Sequence, residues 1–340
     1  MSTLPRSRTR RRWSATIRLF AVATTITLTA CSGADPAASP TPADSAAQGA
    51  FPVTVSHKYG DTVIDRAPAR VVTLGLSDQD PVLALGVVPV GSIDWFGERP
   101  YGKWPWAQPL WKGATPEIVG ERDDYNVEKI AVLNPDLIIG VYSGMTQDQY
   151  TRLSQIAPTV AQVKGVDDYA ATWPEMTRHV GRALGRLARA DELIAAIDAR
   201  LADLRTRNPQ FAGRTVAVVE PYEPGKYAVF APTDPKVVLL TQLGFTVPRA
   251  ITEAAGSEYA AEIGSERLDL IEVDKVVFLT ADESTESTVK ADKVYATLKV
   301  AQENRAVFLP YESPPLGAAL SFSTVLSLPY ALDQLVPLLG

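Results

Sequence analysis

The chain predicts an α/β protein of two lobes bracketing a helical stretch, and three observations lead there. Between Arg70 and Ala161, short β-branched runs alternate with helical patterns. That alternation implies parallel strands covered by helices on both faces. From Thr172 to about Arg207 the strands stop and the pattern is continuously helical, with a break near Gly185. The alternation then resumes from Thr215 towards the C-terminus.

Taken in order, residues 71–74 (VVTL) read as a buried strand. Ser77 and Asp80 stand in capping-box spacing before a short helix closed by Gly86. Residues 87–90 read as the next strand, and 93–111 (IDWFGERPYGKWPWAQPLW) has neither period and reads as loop. Asn126 caps a helix to Leu133 that Asn134-Pro135 stops, and 136–140 (DLIIG) is a strand. A helix over 146–157 puts Tyr150, Leu153, Ile156 and Ala157 on one face before a strand at 158–161. Thr172-Trp-Pro-Glu175 joins a capping box to a first-turn proline. In the second half, strands are expected at 215–219, 245–247, 276–279 and 306–309. Helices are expected at 237–243 ended by Gly244, after a Ser265 cap, and from about 323 to 338.

The N-terminus carries Arg6, Arg8, Arg10, Arg11 and Arg12 without an acid, then twelve uncharged residues at 19–30. That is a basic n-region and an h-region of signal-peptide length, short of the roughly 20 residues a spanning helix needs. It ends in Leu28-Thr29-Ala30-Cys31, which resembles a bacterial lipobox. The resemblance implies cleavage after residues 1–30, diacylation of Cys31 and a lipid anchor on the outer face of the cytoplasmic membrane. A secretory signal that merely adjoins a cysteine is the alternative. Thr9-Arg10-Arg11-Arg12-Trp13 leaves twin-arginine and general export both open. Residues 31–50 hold little to bury and read as a disordered tether. As the sole cysteine, Cys31 makes no intramolecular disulfide and no cysteine-based metal site.

Removing the six arginines of the leader leaves 27 basic against 39 acidic residues, a formal charge of −12. So acidic a chain is not a nucleic-acid binder, because phosphate contacts need a basic face. Only two histidines occur, His57 and His179, far apart in sequence, which argues against a histidine-built metal centre. Ser287-Thr-Val-Lys290 fits S-x-x-K but lacks the S-D-N and K-T-G partners of that chemistry. G-x-S-x-G, the P-loop and G-x-G-x-x-G are absent, so the chain does not read as an enzyme. Asp78 and Asp80 read as the cap of the first helix in preference to a hard-metal site.

The phrases HKYGDTVIDRAPARVVTLGLSDQDPVLALGVVPVG, NVEKIAVLNPDLIIG and YTRLSQIAPTV carry a resemblance. So do GRTVAVVE, LLTQLGF, SERLDLIEVDKVVFL and LSFSTVLSLPYALDQLVPLL. In this order they resemble the iron–siderophore and vitamin B12 class of ABC-transporter solute-binding proteins. The segment DWFGERPYGKWPW is similar to the binding proteins of actinobacterial siderophore importers. The resemblance implies a class III architecture, with two Rossmann-like lobes at 51–166 and 187–340 joined by one rigid connecting helix over 167–186. It also implies a monomer with no resident cofactor, whose cargo is a pre-chelated ferric siderophore held in the cleft and delivered to an ABC permease. Haem or cobalamin as cargo, and a sensor or adaptor that transports nothing, are the alternatives. Glu128 (in NVEKI) and Glu266 (in SERLD) match the carboxylates that dock such proteins on permease arginines. A carboxylate in a first helical turn also serves the helix dipole.

Open α/β sheets bind ligands at the carboxyl ends of their strands. That selects Trp95, Arg99, Tyr101 and Trp104, then Arg122 and Tyr142, in the first lobe. In the second it selects the segment 220–227 with Tyr222, Lys226 and Tyr227, and also Tyr311. Four tryptophans between positions 95 and 111 suit a wall for a large flat ligand, or else pack their loop onto its lobe. Arg99, Lys103, Arg122 and Lys226 suit an anionic ferric complex. Hydroxamate, catecholate and mixed chelators all remain open.

Overall fold

The computed structural model describes residues 51–95 and 104–340, beginning with a hairpin of β1 (Val53–His57) and β2 (Gly60–Ile64). The expected signal segment and tether, Cys31, Arg99, Tyr101 and Lys103 lie outside the described residues. The first lobe continues with β3 (Val71–Thr73), α1 (Gln79–Ala84), β4 (Gly91–Asp94), α2 (Gln108–Trp111) and β5 (Glu117–Glu121). Next come β6 (Asp124–Tyr125), α3 (Val127–Val132), β7 (Leu137–Ile139), α4 (Gln147–Ser154) and β8 (Thr159–Val160). Their sheet has the order β6-β5-β4-β3-β7-β8, parallel except at β6. A period of two divides its side chains between two cores. Val71, Leu137 and Ile139 enter one, and Val72 and Ile138 the other.

Two helices follow, α5 (Trp173–Ala183) and α6 (Leu187–Arg207). The Glu175 carboxylate accepts from the backbone N–H of Thr172 at 2.9 Å, as the capping box requires. The expected break falls at Gly185, whose φ of +65° ends the first helix. Met176, Val180 and Ala183 of α5 belong to the first lobe's core. Helix α6, about 31 Å long at 1.5 Å per residue, supplies Ala190 to that core and Ile197 and Leu201 to the second lobe's. The helical link expected over 167–186 holds α5, whose Trp173 packs on the second lobe's core while Met176 enters the first lobe's, and α6 carries the link on to Arg207.

The second lobe contains β9 (Val216–Glu223), β10 (Lys226–Phe230), α7 (Pro235–Gln242), α8 (Arg249–Ala255), β11 (Ala260–Gly264) and β12 (Lys275–Thr280). It ends with α9 (Glu283–Ala291), α10 (Lys299–Gln302), β13 (Ala306–Pro310), α11 (Leu316–Phe322) and α12 (Ser327–Leu339). The sheet order is β11-β10-β9-β12-β13.

Four local expectations move. The strand expected at 87–90 forms at 91–94, since Pro89 has no N–H to donate. Residues 245–247 make only an isolated bridge, Thr215 to Thr246. Ser265 opens a kinked 3₁₀ run and its hydroxyl bonds Asp292 at 2.5 Å instead of capping a helix. The C-terminal helix, expected from about 323, starts at Ser327, because Ser323 at φ +45° closes a separate helix before it.

The lobes meet through side chains of α1 and of the tryptophan segment. Leu83, Trp104, Trp106 and Trp111 share one core cluster with Val218, Leu240 and Leu332 of the second lobe. Trp104 and Trp106 stack at 5.1 Å, and Trp104 meets Phe322 edge-on at 5.3 Å. Beneath them, the Asp80 carboxylate accepts from Trp106 Nε1 at 3.0 Å and from Thr324 Oγ1 at 2.5 Å. Asp80 is 1% exposed, and burial pushes its carboxyl up to about 7. It caps nothing, contrary to the sequence reading, and instead ties the lobes together.

Candidate functional site

In the first sheet the strand order reverses between β3 and β7, and in the second between β9 and β12. Such switch points leave a crevice at the carboxyl ends of the strands. At the first, Asp78 accepts from the backbone N–H of Gly75, Val141 and Tyr142 at 2.8–3.0 Å. Its carboxylate thus ties the turn after β3 to the turn after β7 and does not cap α1. Burial raises the Asp78 carboxyl to about 6, against the three donors that favour its charged form. The result of this tie is a fixed position for Tyr142.

Tyr142 faces Tyr169 at 5.9 Å, and Tyr169 meets Trp95 edge-on at 5.8 Å. Asp123 holds this row by accepting from Tyr125 at 2.9 Å, from Gly144 N–H at 3.1 Å and from Tyr169. Arg122, with φ of +51°, is exposed beside it at the end of β5.

At the second switch point Glu220 lies towards the end of β9. Tyr311, whose backbone N–H bonds Thr280 of β12, directs its hydroxyl to Glu220 at 3.5 Å and to Ser321 at 2.9 Å. Burial raises the Glu220 carboxyl, and Lys236 opposes that rise. Asp234 caps α7 through Lys236 N–H and pairs with the Lys236 ammonium at 3.1 Å. Burial first, and Asp234 second, raise the Tyr142 hydroxyl.

Between these walls is a cavity of about 240 Å³ lined by Tyr142, Trp173, Thr233, Leu239, Ser321 and Phe322 among others. A larger hollow of about 620 Å³ lies at the β13 edge against α9 and α10, lined by Lys290 and Phe308. It belongs to one lobe and faces away from the strands' carboxyl ends, so it lacks the construction of a ligand cleft.

The sequence-selected residues divide accordingly. Tyr142 lines the interlobe cavity. Trp95 and Trp104 stand behind its walls, buried at 7% and 6% exposure, because their rings pack on Tyr169 and Phe322. The hairpin residues go elsewhere, since β9 runs on to Glu223 before turning. Tyr222 and Tyr227 line a separate hollow of about 200 Å³ with Thr285 and Thr288 of α9. Lys226 is exposed and paired with Glu223 at 2.6 Å. Tyr227 is buried and donates to Asp292 at 2.9 Å. Sequence reading missed Trp173, Thr233 and Phe322. The signal for Trp173 was its place at the head of the long helical stretch, and Asp234-Pro235 marked the turn that presents Thr233. Phe322 carried no local signal, since its role arises from the break between α11 and α12.

The two histidines, 122 positions apart, are both buried in the first lobe. His57 bonds Thr62 at 2.9 Å and His179 bonds the Ala161 carbonyl at 3.2 Å. Among the described residues no three His, Cys, Asp or Glu side chains converge as a metal site. No described helix is long and apolar enough to cross a membrane.

Two α/β lobes with paired switch points facing one cavity define a solute-binding protein of the class III architecture. The chain belongs to the periplasmic binding protein family, whose profile matches residues 71–312, and so binds a solute without transforming it. It is 32% identical over 206 residues to the "Probable siderophore-binding lipoprotein YfiY" of Bacillus subtilis, a match spanning 59% of each chain. A periplasmic solute binding protein of Mycobacterium smegmatis superposes with a TM-score of 0.75 at 35% identity, covering 84% of this chain and 97% of that one. The PiaA protein of Streptococcus pneumoniae, solved with ferrichrome, gives 0.70 at 27% identity over 85% and 97%.

Proposed function

We propose that the protein captures a ferric siderophore in the interlobe cleft and delivers it to an ABC permease for iron uptake. The observation that carries this reading is the aromatic cavity of Tyr142, Trp173 and Phe322 at the two facing switch points. Large flat or greasy chelates are held by such walls, with a few polar groups setting orientation. Relatives named for siderophore and ferrichrome binding support the same cargo. At about 240 Å³ the cavity falls below the roughly 300–1,000 Å³ of typical ligand pockets. Cargo of siderophore size therefore parts the lobes, straining the Asp80–Thr324 contact. Tyr142 lines the cavity, Trp95 and Trp104 back its walls, and Arg122, Arg99 and Tyr101 serve at its mouth. Glu128 and Glu266, both exposed, serve as the permease contacts. Cys31 carries the lipid that keeps the protein at the outer face of the membrane.

Tryptophan fluorescence tests this reading, because Trp173 lies in the wall. The purified protein is titrated with ferric hydroxamates, ferric catecholates, haem and cobalamin, each beside its metal-free form. Saturable quenching by a ferric siderophore at sub-micromolar concentration is the expected result. Saturation by haem or cobalamin alone replaces the cargo, and saturation by none removes the proposal.

A further inference from the structure

We infer that Asp80 and Thr324 form a latch that holds the empty cleft closed, and that cargo enters only as this contact parts. The latch deepens the siderophore reading above, on which it rests, by naming the residues that set how readily the cleft opens. Asp80 stands in the first turn of α1, and its carboxylate accepts from the Thr324 hydroxyl of the second lobe at 2.5 Å. Both residues are buried, at 1% and 2% exposure, and neither lines the cavity. Thr324 follows directly on Phe322 and Ser323, which do line it. The Thr324 hydroxyl oxygen also accepts from the backbone N–H of Leu326 and Ser327, at 3.2 and 2.9 Å, which fixes it to the head of α12. A bond to this hydroxyl therefore positions the second lobe's wall against the first lobe.

Two opposing effects balance this contact. A buried carboxylate is costly to desolvate, and a hydroxyl donor offsets part of that cost. In an opened cleft, water hydrates the carboxylate whether or not residue 324 carries a hydroxyl. Removing the hydroxyl therefore destabilises the closed form alone. Neutralising the carboxylate does the reverse, because the closed form then buries no charge. Burial raises the Asp80 carboxyl to about 7, and the Thr324 and Trp106 bonds oppose that rise. The ionisable groups on the elements around it are Asp78 beside α1, Glu175, Arg178, His179 and Arg182 of α5, and Tyr330 and Asp333 of α12. None of these moves the Asp80 carboxyl. Opening hydrates the group and lowers it again, so the loaded form binds fewer protons than the empty one. Affinity for cargo accordingly rises with pH through the empty form's value of about 7.

The protein is titrated with ferrichrome, ferrioxamine B and ferric enterobactin, and whichever binds most tightly serves as probe between about pH 6 and 8. Thr324→Val should bind the probe about tenfold more tightly than wild type at the upper pH, because more of the protein is open before cargo arrives. Thr324→Ser, which keeps the hydroxyl, should stay within about twofold of wild type. Wild type should gain about tenfold in affinity from the lower to the upper pH, while Asp80→Asn stays flat and ends weaker than wild type. Damaged packing would weaken binding in both variants, whereas the latch moves them in opposite directions. A Thr324→Val variant that melts cooperatively and binds no tighter than wild type overturns the latch. If that variant does not fold, an Asp80→Asn affinity profile parallel to wild type overturns it instead. Saturation of wild type by none of the three complexes removes the siderophore reading and this inference with it.

Discussion

Replacing Asp80 with Asn should change how stability depends on pH, and the size of the change follows from where the carboxyl lies. Burial raises it from 3.8 to about 7 in the folded protein. Between those values the folded state binds more protons than the unfolded one, so stability falls as pH rises through that window. At 1.36 kcal/mol per unit, the interval from pH 5 to 7 corresponds to about 2–3 kcal/mol. Asp80→Asn keeps an oxygen for Trp106 and Thr324 but removes the titration. It adds buried N–H groups where Oδ1 has no described partner, a pH-independent cost of about 1–3 kcal/mol. Two other groups titrate alike in both proteins. Asp78, raised to about 6, has the sign of Asp80, while His179, lowered to about 4 by burial, opposes it. His179 makes stability rise with pH between about 4 and 6.5, because there the unfolded state holds the extra proton. The variant-minus-wild-type difference therefore isolates Asp80. Thermal melts followed by circular dichroism should show Asp80→Asn gaining on wild type by about 5 °C from pH 5 to 8. Melting temperatures that stay parallel across that range would refute the assignment of the proton to this interlobe carboxyl.

Three further outcomes are expected. Charge reversal at Glu128 or Glu266 should abolish uptake in whole cells while leaving ligand affinity within twofold, and undiminished uptake would exclude both as permease contacts. Trp173→Ala, which removes a partly buried ring from the cavity wall, should weaken ligand binding by about 1–2 kcal/mol, or roughly 5–30-fold. An unchanged affinity would place the cargo elsewhere. Cys31→Ser should release the protein from the membrane fraction into the medium or soluble fraction, and continued sedimentation with membranes would argue against the lipid anchor.

Much of the chain's local order was legible because its signals are local. Asn126 accepts from Lys129 N–H at the head of α3, Thr146 opens α4 and Gly185 separates α5 from α6. Each depends on neighbours a few residues away. The hairpin of β1 and β2 escaped notice, its exposed alternating residues giving a weaker pattern than the buried strands. The tryptophans left two readings open for a different reason. A dense aromatic run without helix or strand period resembles a ligand wall, and only a second lobe pressed against it turns Trp104 and Trp106 into buried contacts.

By itself the sequence determined the two α/β halves, the helical stretch between them, the acidic balance and the place of Tyr142 after β7. Those follow from short-range periodicity, capping and composition. Tertiary structure alone decided which side chains share the cleft, because Tyr142, Trp173, Thr233 and Phe322 are scattered over 180 positions and meet only when the lobes face each other. It also decided that Asp80 reaches across 244 positions to Thr324 and that Lys236 is matched before any cargo arrives. Charge and contact across a cleft depend on distance in space, which spacing along the chain does not encode.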